Sequence, residues 1–240
     1  MSKHLQRDLE NVHLALLSLS AIVEEMIDKA SRALIEGDIE QAAEVIRTDE
    51  QVNQGEVHIE EECLKMLALH QPVAIDLRRI STVMKVNNDL ERIADLAVNI
   101  AERAQNLAAF PQFPAPNRLE KMVTLATRMV HGSLDAFVNL DTLTARRVCL
   151  LDEEMDDYNR RIIGELQEQM RQDPELIVPA MHAFSASRHL ERIADHATNI
   201  AEDVIYLVEG EIARHKPEMV HLDEDEASAV DESRLGAEKT

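Results

Sequence analysis

The chain is predicted to be all-α, a tandem repeat of two similar three-helix bundles with six long helices in all. Three observations carry that prediction. Residues 90–102, LERIADLAVNIAE, recur at 190–202 as LERIADHATNIAE, differing only at Leu96/His196 and Val98/Thr198. Self-similarity at such a fixed interval is the mark of a duplicated architecture. Apolar residues recur at intervals of three and four along most of the chain, the period of a helix that buries one face. Finally, the 240 residues include no tryptophan, four phenylalanines, two tyrosines, six glycines and seven prolines. A core of Leu, Ile, Val, Met and Ala with so few turn residues suits helices packed on helices.

The first helix is expected over about 5–36, with Leu9, Val12, Leu16, Leu19, Val23, Met26, Ala30 and Ala33 along one seam. Gly37 stops it, and Asp38 with Gln41 resembles a capping box for a second helix running to about His70. That helix turns Ala42, Val45, Ile46, Val52, Ile59, Cys63, Met66 and Leu67 inward. Gln71-Pro72 breaks it, and Pro72 suits the first turn of a third helix ending near Ala108. The segment FPQFPAP at 110–116 has three prolines in seven residues and links the halves. Helices follow over about 118–140, 144–171 and 175–210, with Asp141 as a cap and Asp173-Pro174 as a break. The turn GDIEQAAEVIRTDEQVN at 37–53 aligns with LDTLTARRVCLLDEEMD at 140–156. The expected organisation is therefore a first bundle at 5–109, a Pro-rich link at 110–117, a second bundle at 118–212 and an acidic, solvated tail at 213–240.

The formal charge of −21 argues against nucleic-acid binding and against adhesion to an anionic membrane surface. No apolar run has the length of a membrane span, and MSKHLQRDLE lacks the apolar stretch of a secretory signal. The two cysteines, Cys63 and Cys149, have no CxxC partner, so a reducing cytoplasm is the expected location.

What was duplicated is an acidic pair, Glu91 with Asp95 and Glu191 with Asp195. At about 100° per residue each pair shares one helix face, together with Asn99 and Glu102 or Asn199 and Glu202. The apolar stripe Val83, Val86, Leu90, Ala97 and Ala101 lies most of the way round the helix, so the acids face outward or into a groove. Like charges at this spacing cost a helix roughly 0.2–0.5 kcal/mol. The second helix of each half carries a matching pair, Asp49 with Asn53 and Asp152 with Asp156. Antiparallel neighbours set these pairs side by side, with few cations on the same stripes to balance them. A hard cation such as Mg²⁺, Mn²⁺, Ca²⁺ or iron relieves that repulsion. The competing reading is a solvated polar face, which any acidic helix shows; duplication on two helices in each half favours the site.

Other constellations carry less. His182, His189 and His196 recur every seven residues and read as interface or packing histidines; Thr82, Asp89 and Leu96 stand at the corresponding places of the first half. A di-iron bundle needs Glu-x-x-His on two helices, and Glu10–His13 is the single copy in the helical region. Ser20, Ser81 and Ser187 have no base and orienting partner, and no glycine-rich phosphate loop exists.

Taken together, the paired LERIAD…NI segments, each preceded by a helix bearing D-E-x-hydrophobic-N/D, resemble the PhoU family of phosphate-signalling proteins over about residues 5–212. The resemblance implies two three-helix bundles packed together. It also implies a cytoplasmic, non-enzymatic regulator that restrains the phosphate-starvation response when phosphate is plentiful. The implied partners are the phosphate ABC transporter, through its ATPase subunit, a membrane sensor histidine kinase, and a second copy in a homodimer. Multinuclear metal clusters at Glu/Asp-x-x-x-Asp pairs carry over to Asp49, Asn53, Glu91, Asp95, Asp152, Asp156, Glu191 and Asp195, the ion left open among magnesium, manganese, iron and zinc. Asn53 offers no carboxylate, so the first site is expected to bind a cation more weakly. The alternatives are a metal-dependent hydrolase or oxidase using the same carboxylates, and a helical scaffold with no metal.

Overall fold

A computed structural model describes residues 3–211, and the expected acidic tail at 213–240 lies outside them. The elements are α1 (Lys3–Glu36), α2 (Ile39–His70), α3 (Ala74–Leu107), α4 (Asn117–Asn139), α5 (Thr142–Leu150), α6 (Asp152–Gln172) and α7 (Ile177–Glu209), with a 3₁₀ turn at Pro174–Leu176. Among the described residues there is no strand, and no helix is long and apolar enough to cross a membrane.

The local chemistry of the chain explains most helix ends. Gly37 closes α1 at φ +74°, and Asp38 then caps α2 by accepting from the backbone N–H of Glu40 and Gln41 at 3.0 and 3.1 Å. The reciprocal half of the capping box is missing, since the side-chain oxygen of Gln41 is buried without a partner. Asp141 caps α5 in the same way, through Leu143 and Thr144. At the repeated turn, however, Leu140 stands where the first half has Gly37, and it adopts φ +53° despite its Cβ. Pro72 falls before the third helix rather than in its first turn, because Val73 is extended and α3 starts at Ala74.

The expected single helix over 144–171 is broken. Leu151 N–H bonds back to Val148 O, a tightened turn that ends α5, and α6 begins at Asp152. Asp152, Glu153 and Glu154 occupy the first turn of α6, where negative charge meets the positive end of the helix dipole. Threonine stands at the aligned place in the first half, position 48, and α2 runs through. The helix expected from Glu175 starts instead as the 3₁₀ turn, with α7 proper from Ile177.

Helices α1, α2 and α3 pack on one another, and so do α4, α5, α6 and α7. The two groups join chiefly along α3 against α7, with α1 touching α4. Arg78 reaches Leu207 O, Lys85 meets Asp203 and Asp89 meets His196, so the α3–α7 seam is antiparallel. This double duty changes the expected pattern on α3. Beyond the stripe of Val83, Val86, Leu90, Ala97 and Ala101, the residues Ile93, Ala94, Leu96 and Ile100 are also buried. A helix packed on both its own bundle and the neighbouring one buries more than one face.

Candidate functional site

Each acidic pair of α3 and α7 lies in the groove beside the second rod of its own bundle. The small residues Ala94, Ala97 and Ala101, and Ala194, Ala197 and Ala201, allow the close helix approach that forms this groove. In the first half, the Asp95 charge is near enough to act on Asp49, and the charges of Asp95 and Asp49 on Glu91. Burial, and then the Asp95 charge, pushes the Glu91 carboxyl above its usual range. Burial also raises Asp49, opposed by its hydrogen bond with Asn53 and reinforced by Asp95. Asn53 Nδ2 donates to Asp49 Oδ2 at 3.0 Å, so the amide works as a donor here.

In the second half, Asp152, Asp156, Glu191 and Asp195 form the matching group. Burial and then the neighbouring Asp156 raise Asp152, whose carboxylate accepts a hydrogen bond from Thr198 Oγ1 at 3.5 Å. Asp195 has an exposed side chain, yet its packed flank desolvates it, and Glu191 and Asp152 add negative charge nearby. Its pKa is raised to about 6. The eight expected residues are therefore gathered, four to each half.

The expected shortage of balancing cations is corrected by the structure. Arg92 lies 3.4 Å from Glu91 and 3.8 Å from Asp95, and Arg188 lies 2.8 Å from Glu191. These arginines sit one and three residues along the same helices, and their long side chains bend back over the acids. The residues also missed a stripe member. Glu56, seven residues after Asp49, adds its negative charge at Glu91, and its own carboxyl is raised by burial. The heptad Asp49, Asn53, Glu56 on α2 was the available signal. Asn159 holds the aligned position on α6 and is buried. Each half thus has four carboxylates, with the amide at the middle position of the first stripe and at the last position of the second. The expected inequality in carboxylate number disappears once Glu56 is included.

Whether these groups suit a cation is a question of donors. One carboxylate oxygen in each half, Asp49 Oδ1 and Glu191 Oε2, is shut off from solvent without a hydrogen-bond partner. Unpaired, half-buried carboxylate oxygens are the donor chemistry of a hard cation. As the side chains stand, no three His, Cys, Asp or Glu among the described residues are arranged as a ready ligand set. Asn53, Arg92, Thr198 and Arg188 each already engage one of these carboxylates. The unpaired oxygens are thus of the donor type a hard cation takes, while the side chains as placed form no ligand set among the described residues.

The remaining candidates resolve into packing. His196 Nδ1 lies 2.7 Å from Asp89 Oδ1 on the α3–α7 seam, and the ring of His13 packs against Phe137 at 5.8 Å. Burial pushes both Cys63 and Cys149 up to about 12, which makes them inert thiols.

Comparison with known proteins places this arrangement in a family. The model of the PhoU domain matches twice, at residues 16–104 and 119–204. A phosphate-specific transport system accessory protein PhoU homolog of Aquifex aeolicus is 42% identical over 210 residues, covering 88% of this chain and 95% of that one. The homolog of Pseudomonas aeruginosa is 39% identical over 216 residues, covering 90% of this chain and 89% of that one. The crystal structure of PhoU from Pseudomonas aeruginosa superposes with a TM-score of 0.84 at 39% identity, over 86% of this chain and 99% of that one. The phosphate transport system regulatory protein PhoU from Streptococcus pneumoniae gives 0.80 at 32% identity, over 87% and 98%. Matched in both halves and along nearly the whole length of these relatives, the chain belongs to the PhoU family, whose members are accessory and regulatory proteins and not enzymes.

Proposed function

We propose that this protein is a cytoplasmic accessory protein of a phosphate-specific transport system. It modulates the high-affinity phosphate ABC transporter and restrains the phosphate-starvation two-component response. The observation that carries the reading is the family match in both halves, with relatives named for that transport system. In this reading its partners are the transporter's ATPase subunit and a sensor histidine kinase, and the protein works as a homodimer.

The acidic groups are the part of the surface that a signal can change. Asp49, Glu56, Glu91 and Asp95 in one half, and Asp152, Asp156, Glu191 and Asp195 in the other, would hold divalent or iron-type ions. A bound cation supplies positive charge to the carboxylates. Asp49 and Glu191 offer the solvent-excluded oxygens, while Arg188 engages the other oxygen of Glu191 and Arg92 lies against Glu91 and Asp95. By cancelling mutual repulsion, such an ion ties α2 to α3 and α6 to α7, which stiffens the helical faces shown to a partner.

Deletion of the gene tests the regulatory role. The expected result is starvation-reporter expression in phosphate-rich medium, reversed by the wild-type gene. Unchanged reporter activity and phosphate uptake would overturn it. Calorimetric titration of Mg²⁺, Mn²⁺ and Fe²⁺ into wild type and Glu191→Ala/Asp195→Ala tests the ion site, and equal binding by both removes it.

A further inference from the structure

The α3–α7 seam joins two copies of one helix in antiparallel order, so a contact at one end has a two-fold-related contact at the other. At one end charge is balanced by carboxylates. Lys85 Nζ lies 2.7 Å from Asp203 Oδ1, and His196 Nδ1 lies 2.7 Å from Asp89 Oδ1. With the one-hundred-residue offset of the repeat, Lys85 and Asp203 correspond to Ser185 and Arg103, and Asp89 and His196 to His189 and Leu96. Both acids are thus replaced at the second end, one by arginine and one by histidine.

The donors there are incompletely used. Ser185 Oγ lies 3.2 Å from His189 Nε2, and Arg103 Nη2 donates to Glu102 Oε2 at 3.2 Å. Arg103 Nε and His189 Nδ1 are shut off from solvent with no hydrogen-bond partner. Buried nitrogens of this kind call for an acceptor. When His189 Nε2 accepts from the Ser185 hydroxyl, its single proton sits on Nδ1, the nitrogen that lacks a partner.

We propose that this end of the seam is a binding site for a small tetrahedral oxyanion of the phosphate or sulfate class, received by Arg103 Nε–H and His189 Nδ1–H. The charges that face it support this. Arg103 and Arg192 bring positive charge to the His189 ring against the single carboxylate of Glu102, and Arg103 also acts on His182. The spot is therefore locally positive in a chain of formal charge −21. Charge-assisted hydrogen bonds from a guanidinium are the strongest means available to a protein for holding such an anion. The site shares no residue with the acidic groups and rests on neither their cation nor the transport role.

Full-length protein with isotopically labelled histidines, titrated with inorganic phosphate and separately with sulfate at constant ionic strength, tests the proposal by NMR. The His189 and His182 ring signals are expected to move saturably. Arg103→Gln is expected to weaken the effect about tenfold or more, given the strength of hydrogen bonds to charged groups. Arg103→Lys keeps the charge without the fork and should fall between. Lys85→Gln, at the carboxylate end, should leave it intact. The proposal is overturned by histidine signals that do not move, that move equally with chloride, or that respond equally in Arg103→Gln of unchanged melting temperature.

Discussion

Replacing Asp195 by asparagine in protein freed of metal by a chelator is expected to stabilise the fold at neutral pH and to do nothing at low pH. The carboxyl is raised from 3.8 to about 6 by burial and by Glu191 and Asp152. A carboxyl whose folded pKa is raised favours the folded state in its protonated form. Its contribution is fully present below pH 3.8 and is lost as the pH rises through about 6. Complete coupling would make that loss about 3 kcal/mol. The side chain of Asp195 is exposed, and solvent screening brings the figure to roughly 1 kcal/mol. Asparagine has the same shape and never ionises, so it recovers this amount above pH 6.5 or so. For a chain of this size the midpoint should rise by about 2–4 °C. Thermal melts of both proteins at acid and at mildly alkaline pH, in the same chelated buffer, measure it. Equal effects at the two pH values, or a destabilised variant at alkaline pH, would show that Asp195 is not held in a crowded carboxylate group.

Other positions give independent checks. Leu190→Ala, at a wholly buried site on the α7 seam, is expected to cost about 2–5 kcal/mol by chemical denaturation. Leu140→Gly should stabilise by about 1 kcal/mol, because glycine takes the φ of +53° without the Cβ clash; loss of stability would mean that its side-chain packing outweighs the strain. Asp89→Ala removes the acceptor of a buried contact and is expected to destabilise by about 2–3 kcal/mol, whereas Asp89→Asn keeps an oxygen for His196 Nδ1 and should cost less than half as much. Urea titration of the two Asp89 variants side by side separates the hydrogen bond from mere loss of volume.

The helices and their caps were legible because they depend on near neighbours. Gly37, Asp38, Asp141 and the Asp173-Pro174 break act on the backbone within a few residues of themselves, and the seam expected on α1 is buried apart from the half-buried Leu9. The break at Leu151 escaped because the periodicity of apolar residues continues across it from Val148 to Met155. The acidic groups were legible through duplication, since i,i+4 pairs on two helices recur in both halves. Glu56 escaped because its aligned position in the other half is Asn159, so a search for duplicated acids passes over it.

By itself the amino-acid sequence determined the helical rods, their order, and which residues of each rod share a face, because a helix's period and its caps are local matters. Tertiary structure alone decided which faces meet. It buried α3 and α7 on two sides, set Lys85 against Asp203 and His196 against Asp89, and left Arg103 Nε and His189 Nδ1 buried without an acceptor. Those pairings join residues about one hundred positions apart, and only the antiparallel docking of one repeat on the other brings them within reach.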